Sequence, residues 1–169
     1  MIEVGVLLLQ ILTCVGLGDT ALRILGINRD LSVAERVLWA CALGLGILGW
    51  LLFFLGVLGG YSNSWFVGLL LGGALLAWPI LRILFSIEKS LGPPWSGSEK
   101  LLLIGVLIVG LFDYFEALSP PADADTLAYH FALAKQFISA GRIEFVPRAL
   151  DGAVPLLIQM TYIPPLALG

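Results

Sequence analysis

Apolar runs of about twenty residues recur along this chain, each long enough for a helix to cross about 30 Å of hydrocarbon. Inside lipid the backbone must satisfy its own hydrogen bonds, so such runs are read as transmembrane helices. Charge supports this. Only 12% of the residues are charged and 59% are hydrophobic, whereas a soluble domain carries about a quarter charged residues.

Five segments meet the length and polarity test: roughly Val4 to Leu25, Ala34 to Gly59, Ser64 to Phe85, Leu101 to Leu118, and an incomplete one from about Ala153 to Gly169. The expected fold is all-α, a polytopic transmembrane helical bundle of about five spans, with one interfacial amphipathic helix in an extracytoplasmic loop. Residues 1–100 would hold three helices with short loops. Residues 101–169 would hold the fourth span, a polar loop over about 119–150, and the start of a fifth span. The N-terminus MIEVGVLLLQ has no basic leader and no small-residue cleavage pattern, and reads as a retained first span.

A net charge of −3 offers no basic surface, so nucleic acid is set aside as a partner. Cys14 and Cys41 both fall inside apolar runs and read as small packing residues. The spacings Gly56 to Gly60 and Gly68 to Gly72 would allow close helix approach. Asp19, one turn before Arg23 near the end of the first run, can pair with it or reach for the interface. A transporter or channel is the least favoured reading, because neither a buried charge relay nor paired discontinuous helices are visible.

Orientation follows from Lys and Arg. The first connection holds Arg23, Arg29 and Arg36, the third holds Arg82, Lys89 and Lys100, and the second, GGYSNSW, is uncharged. The first and third should therefore face the cytoplasm, with the N-terminus outside and residues from about Asp113 onward delivered to the extracytoplasmic side. Tyr61 and Trp65 outside, and Trp95 inside, fit interfacial aromatic belts.

From Ser119 to Leu150 the chain turns polar. Pro120 and Pro121 stop the fourth helix. Asp123 or Asp125 can then cap a new helix, DTLAYHFALAKQFISAG, that ends at Gly141. Leu127, Phe131, Ala134 and Ile138 form an apolar stripe on it, while Tyr129, Lys135 and Gln136 point elsewhere. Such a helix would lie along the outer membrane surface and hold its first carboxylates at the water boundary. Taken singly, Asp125 reads as an N-cap, Asp123 as a solvated loop residue and His130, the sole histidine, as a packed one.

An apolar helix, then P-x-D-x-D-x-L-x-Y-H, a surface helix, A-G-R-I and a returning span with proline resembles the first extracytoplasmic loop of GT-C glycosyltransferases, among them protein O-mannosyltransferase and aminoarabinose transferase relatives. The resemblance covers about Leu101 to Gly169 and not the first three spans. It implies a polyprenyl-phosphate-linked sugar as donor and an extracytoplasmic acceptor, in a bacterial inner membrane. It assigns Asp125, with Asp123 second, as general base or as ligand of a divalent cation that positions the donor phosphate. His130 and Tyr129 would orient substrate. These enzymes have many more spans, and YIPPLALG closes the sequence inside an apolar run. The expectation is therefore the N-terminal part of such an enzyme, or a remnant of one. The competing expectation is a non-catalytic transmembrane accessory subunit packed against other membrane subunits.

Overall fold

A computed structural model of the chain describes residues 2–86, 96–117, 130–147 and 157–169. Among these residues all regular structure is helical. α1 runs Ile2–Ile24, α2 Val33–Val57, α3 Asn63–Leu76, α4 Trp78–Ser86, α5 Gly97–Ala117, α6 Phe131–Ala140, α7 Leu157–Met160 and α8 Ile163–Leu168, with one 3-10 turn at Ile27–Arg29.

α1, α2 and α3 form the central packing unit. α1 and α2 are antiparallel and touch through backbone. A Cβ on Gly18 would overlap the Ala40 carbonyl, and one on Gly44 would overlap that of Cys14. α3 lies alongside α1 on its other side. There a Cβ on Gly16 would overlap the Gly73 carbonyl, and Thr13 Oγ1 donates to Leu70 O at 2.7 Å. Glycine at these positions removes the side-chain layer that normally separates helices, which gives the packing attraction that holds helices together in lipid.

The two expected GxxxG pairs do not pack helices in this way. Nothing lies within 4 Å of a Cβ built on Gly68 or Gly72, and Gly60 meets only Leu55 of its own turn. Gly56 makes room for the Tyr61 ring and Ile143.

Val4–Ile24 and Val33–Val57 are each long and apolar enough to cross a membrane. The expected third span is instead a bent pair, Asn63–Leu76 and Trp78–Phe85, which meet at 43°. Pro79 accounts for the bend, because its ring leaves no amide hydrogen for the preceding turn. α5 is 21 residues long, but Glu99, Lys100, Asp113 and Glu116 confine its uncharged stretch to 101–112, about 18 Å of helix. Every residue of it from Gly97 to Glu116 is exposed. The fifth segment is described only as α7 and α8, separated by a turn at Thr161–Tyr162. Discontinuous helices are thus present where the sequence suggested none, and both breaks coincide with proline: Pro79 in one, Pro164 and Pro165 in the other.

The second break is repaired from α1. In a continuous helix the residue at 165 would donate to Thr161 O, but proline has no N–H. Gln10 supplies the missing donor, with its Nε2 3.1 Å from Thr161 O. A freed carbonyl in this buried setting is tolerated because a neighbouring helix satisfies it.

Candidate functional site

Of the helix expected in the polar loop, the structure describes α6, with His130 at its N-cap and Gly141 in the left-handed conformation, φ 70°, at its C-cap. Its buried face differs from the expected stripe. Leu133, Ala134 and Phe137 are buried, whereas Phe131 and Ile138 are only half-buried. Leu127 lies outside the described residues. The reason is that α6 packs into the protein: Phe137 and Leu133 join Leu48, Leu52, Tyr61, Phe66, Met160 and Ile163 in one apolar cluster.

Two backbone hydrogen bonds lock the end of α6 to the uncharged turn between α2 and α3. Tyr61 N donates to Gly141 O at 3.0 Å, and Ile143 N donates to Gly56 O at 3.0 Å. Tyr61 is buried in the core beside this turn. Its phenol donates to Leu52 O at 3.0 Å, and burial pushes the phenol well above its ordinary titration range. Trp65 is exposed, and Trp95 lies outside the described residues. Gly56 stands about 30 Å along α2 from Arg36. The end of α6 at Gly141 to Ile143 thus sits at the end of the bundle opposite Arg23, Arg29 and Arg36.

Of the four candidate site residues, only His130 is described; Asp123, Asp125 and Tyr129 lie outside the described residues. His130 Nδ1 is 2.7 Å from the Nε2 of Gln159 on α7. Gln159 is almost wholly buried, as are its neighbours Met160 and Thr161. The ring of Tyr162 meets that of Phe131 edge-on at 5.5 Å. With Gln10 on Thr161 O, these contacts bring α1, α6 and α7 to one polar seam inside an apolar surround.

Sequence reasoning did not single out Gln159 or Gln10. The signal available was an amide in each of two apolar runs, LLLQILT and PLLIQMT, since polar groups at such depth need partners.

A second buried polar cluster lies near the other end of the bundle. Asp19 is fully buried, and its Oδ1 accepts from Arg36 Nε at 2.6 Å. Arg23 Nε is 3.2 Å from Oδ2, an ion pair without hydrogen-bond alignment. The expected partner Arg23 is present, but the tighter and more buried one is Arg36, which ties α1 to α2.

Cys14 and Cys41 are free thiols that help to line a cavity of about 210 Å³ between α1 and α2. Among the described residues no group of three or more His, Cys, Asp or Glu side chains could hold a metal ion.

Comparison with known proteins found no family model, no curated protein and no solved structure that matches the chain.

Proposed function

We propose that this chain is the N-terminal part of an integral-membrane glycosyltransferase that moves a sugar from a polyprenyl-phosphate donor to an extracytoplasmic acceptor. One observation carries the reading. His130, the last residue of D-x-L-x-Y-H, is held at 2.7 Å by Gln159 of the returning segment, on a helix whose far end is bonded to the α2–α3 turn. The acidic motif thereby leads into a structured helix that is anchored to α2, α7 and α8.

In this reading Asp125 takes the proton of the acceptor hydroxyl as that oxygen bonds to the sugar anomeric carbon. The carbon–oxygen bond to phosphate breaks, and polyprenyl phosphate leaves with the electron pair. Asp123 is the second candidate base. Where a divalent cation takes part, Asp123 and Asp125 are its proposed ligands, as the resemblance to GT-C enzymes implies. Tyr129 and His130 orient the substrate.

The test is sugar transfer by the intact protein in membrane vesicles, with a panel of polyprenyl-phosphate sugars. Asp125→Asn should lower the rate by about 10²–10⁴-fold, the range attributed to a positioned general base. Unchanged transfer in Asp125→Asn combined with Asp123→Asn removes both from the mechanism.

The accessory-subunit reading is favoured by α5, whose apolar side chains are exposed all around. Absence of transfer by the wild-type protein with every donor, together with a larger membrane complex that co-purifies with it, would establish that reading instead.

A further inference from the structure

Asp19 is one carboxylate shared by two guanidinium groups, so the cluster at the arginine end of α1 and α2 carries a surplus positive charge. Arg36 is 9% exposed and gives its Nε hydrogen to Asp19 Oδ1 at 2.6 Å. Among the described residues its Nη1 and Nη2 take no hydrogen bond, and neither is sealed off: the buried side-chain atoms left without a partner are Gln10 Oε1 and Asp19 Oδ2. Arg23 turns Nε toward Asp19 Oδ2 at 3.2 Å and Nη2 toward Thr20 Oγ1 at 3.2 Å.

Among the described residues, no second carboxylate pairs with either arginine. Glu35, in the first turn of α2, gives its carboxylate to Ser32 N and Oγ, and Asp30 is exposed beyond the 3-10 turn. Asp19 itself is fully buried, so it presents no bare carboxylate to an incoming anion. Guanidinium forks with donors unspent match an anion that has several acceptor oxygens, and phosphate is the group they pair with in bidentate fashion.

The surroundings distinguish a lipid phosphate from a free one. The two arginines stand at the ends of two apolar spans, beside Ile24, Leu38 and Trp39, which are 79%, 69% and 55% exposed. A phosphate that brings acyl chains covers both the charge and these apolar side chains, whereas a free ion covers only the charge. Basic pockets between membrane helices take anionic headgroups for this reason.

We propose that Arg23 and Arg36, held on Asp19, bind the phosphate of an anionic phospholipid in the leaflet at this end of the bundle, with its acyl chains along Leu38 and Trp39. The site stands independently of the transferase reading.

Lipid titration of the full-length protein in neutral detergent micelles tests this, with native mass spectrometry counting the bound lipid. Phosphatidylglycerol should bind with a Kd about tenfold or more below that of phosphatidylcholine, the scale of one hydrogen bond to a charged group. Arg23→Gln leaves Arg36 and Asp19 paired one to one and should weaken phosphatidylglycerol by about tenfold. The exposed Arg29→Gln should weaken it by less than about threefold, as a solvated surface charge does. Asp19→Leu with Arg36→Met should abolish the preference between the two lipids while helix content stays unchanged. Should that double variant not fold, the comparison of Arg23→Gln with Arg29→Gln decides. Equal losses in those two variants, or a preference that survives in a folded double variant, overturns the site. Displacement of phosphatidylglycerol by an equal concentration of inorganic phosphate would make this an ion site and overturn the lipid.

Discussion

Asp19 shows what a single residue costs when it is buried with its partners. It is fully buried, and the side chain of Arg36 is only 11% exposed, so neither charge has water to fall back on. Removing one member leaves the other charge unpaired in a low-dielectric surround, a change that costs about 3–5 kcal/mol. Asp19→Asn should lower the unfolding free energy in micelles by that amount, as read from denaturant titration. Replacing both residues, Asp19→Leu with Arg36→Met, should recover most of the loss, because a well-packed apolar pair is often as stable as a buried ion pair. Recovery failing would show that the ion pair has a further role at this end of the bundle. Only half of this cluster was legible in the sequence. Arg23 stands four residues from Asp19 on the same helix, a spacing that announces itself. Arg36 lies beyond a turn on another helix, and its approach depends on how α1 and α2 cross. The same limit hid Gln159 from His130, which are 29 residues apart.

At the scale of elements, the helical class and the bounds of α1 and α2 could be read from apolar length, but the packed faces could not. In a soluble helix the inner face is the apolar one, so periodicity reveals it. In lipid both faces are apolar, and contact is selected by small residues instead. Glycine is abundant here, so spacing alone pointed to Gly68 and Gly72, which are open, while Gly16, Gly18 and Gly44 make the close approaches. α6 was misread for a related reason: its inner face is set by the α7 and α8 surface it meets, which no local pattern contains. The contrast can be tested by adding one methyl group. Gly44→Ala places a Cβ against the Cys14 carbonyl and should cost about 1–3 kcal/mol, as overpacking does. Gly72→Ala meets nothing and should stay within about 0.5 kcal/mol of the wild type. Equal effects in micelle unfolding would mean that α1 and α2 are not packed through Gly44.

At the scale of the whole molecule, everything proposed about chemistry depends on which side of the membrane holds the 130–147 segment. The structure puts that segment beside the α2–α3 turn, and puts Arg23, Arg29 and Arg36 at the opposite end. It is the bias of Lys and Arg toward cytoplasmic loops that turns this geometry into an orientation. Membrane-impermeant thiol labelling of single cysteines, with Cys14 and Cys41 replaced by Ala, reads it directly. Cysteine at Ser62 or Glu144 should react in intact cells, and cysteine at Asp30 only after permeabilisation; all three positions lie outside the tightly packed core. Ser62 and Glu144 must behave alike, because the bonds from Tyr61 to Gly141 and from Ile143 to Gly56 hold their segments together. Both reacting only from the cytosol would reverse the orientation and leave the acidic motif on the wrong side for an extracytoplasmic acceptor, while the packing of the helices stood unchanged. A split result would be more damaging, since it would separate two segments that the backbone bonds join and so would contradict the fold itself.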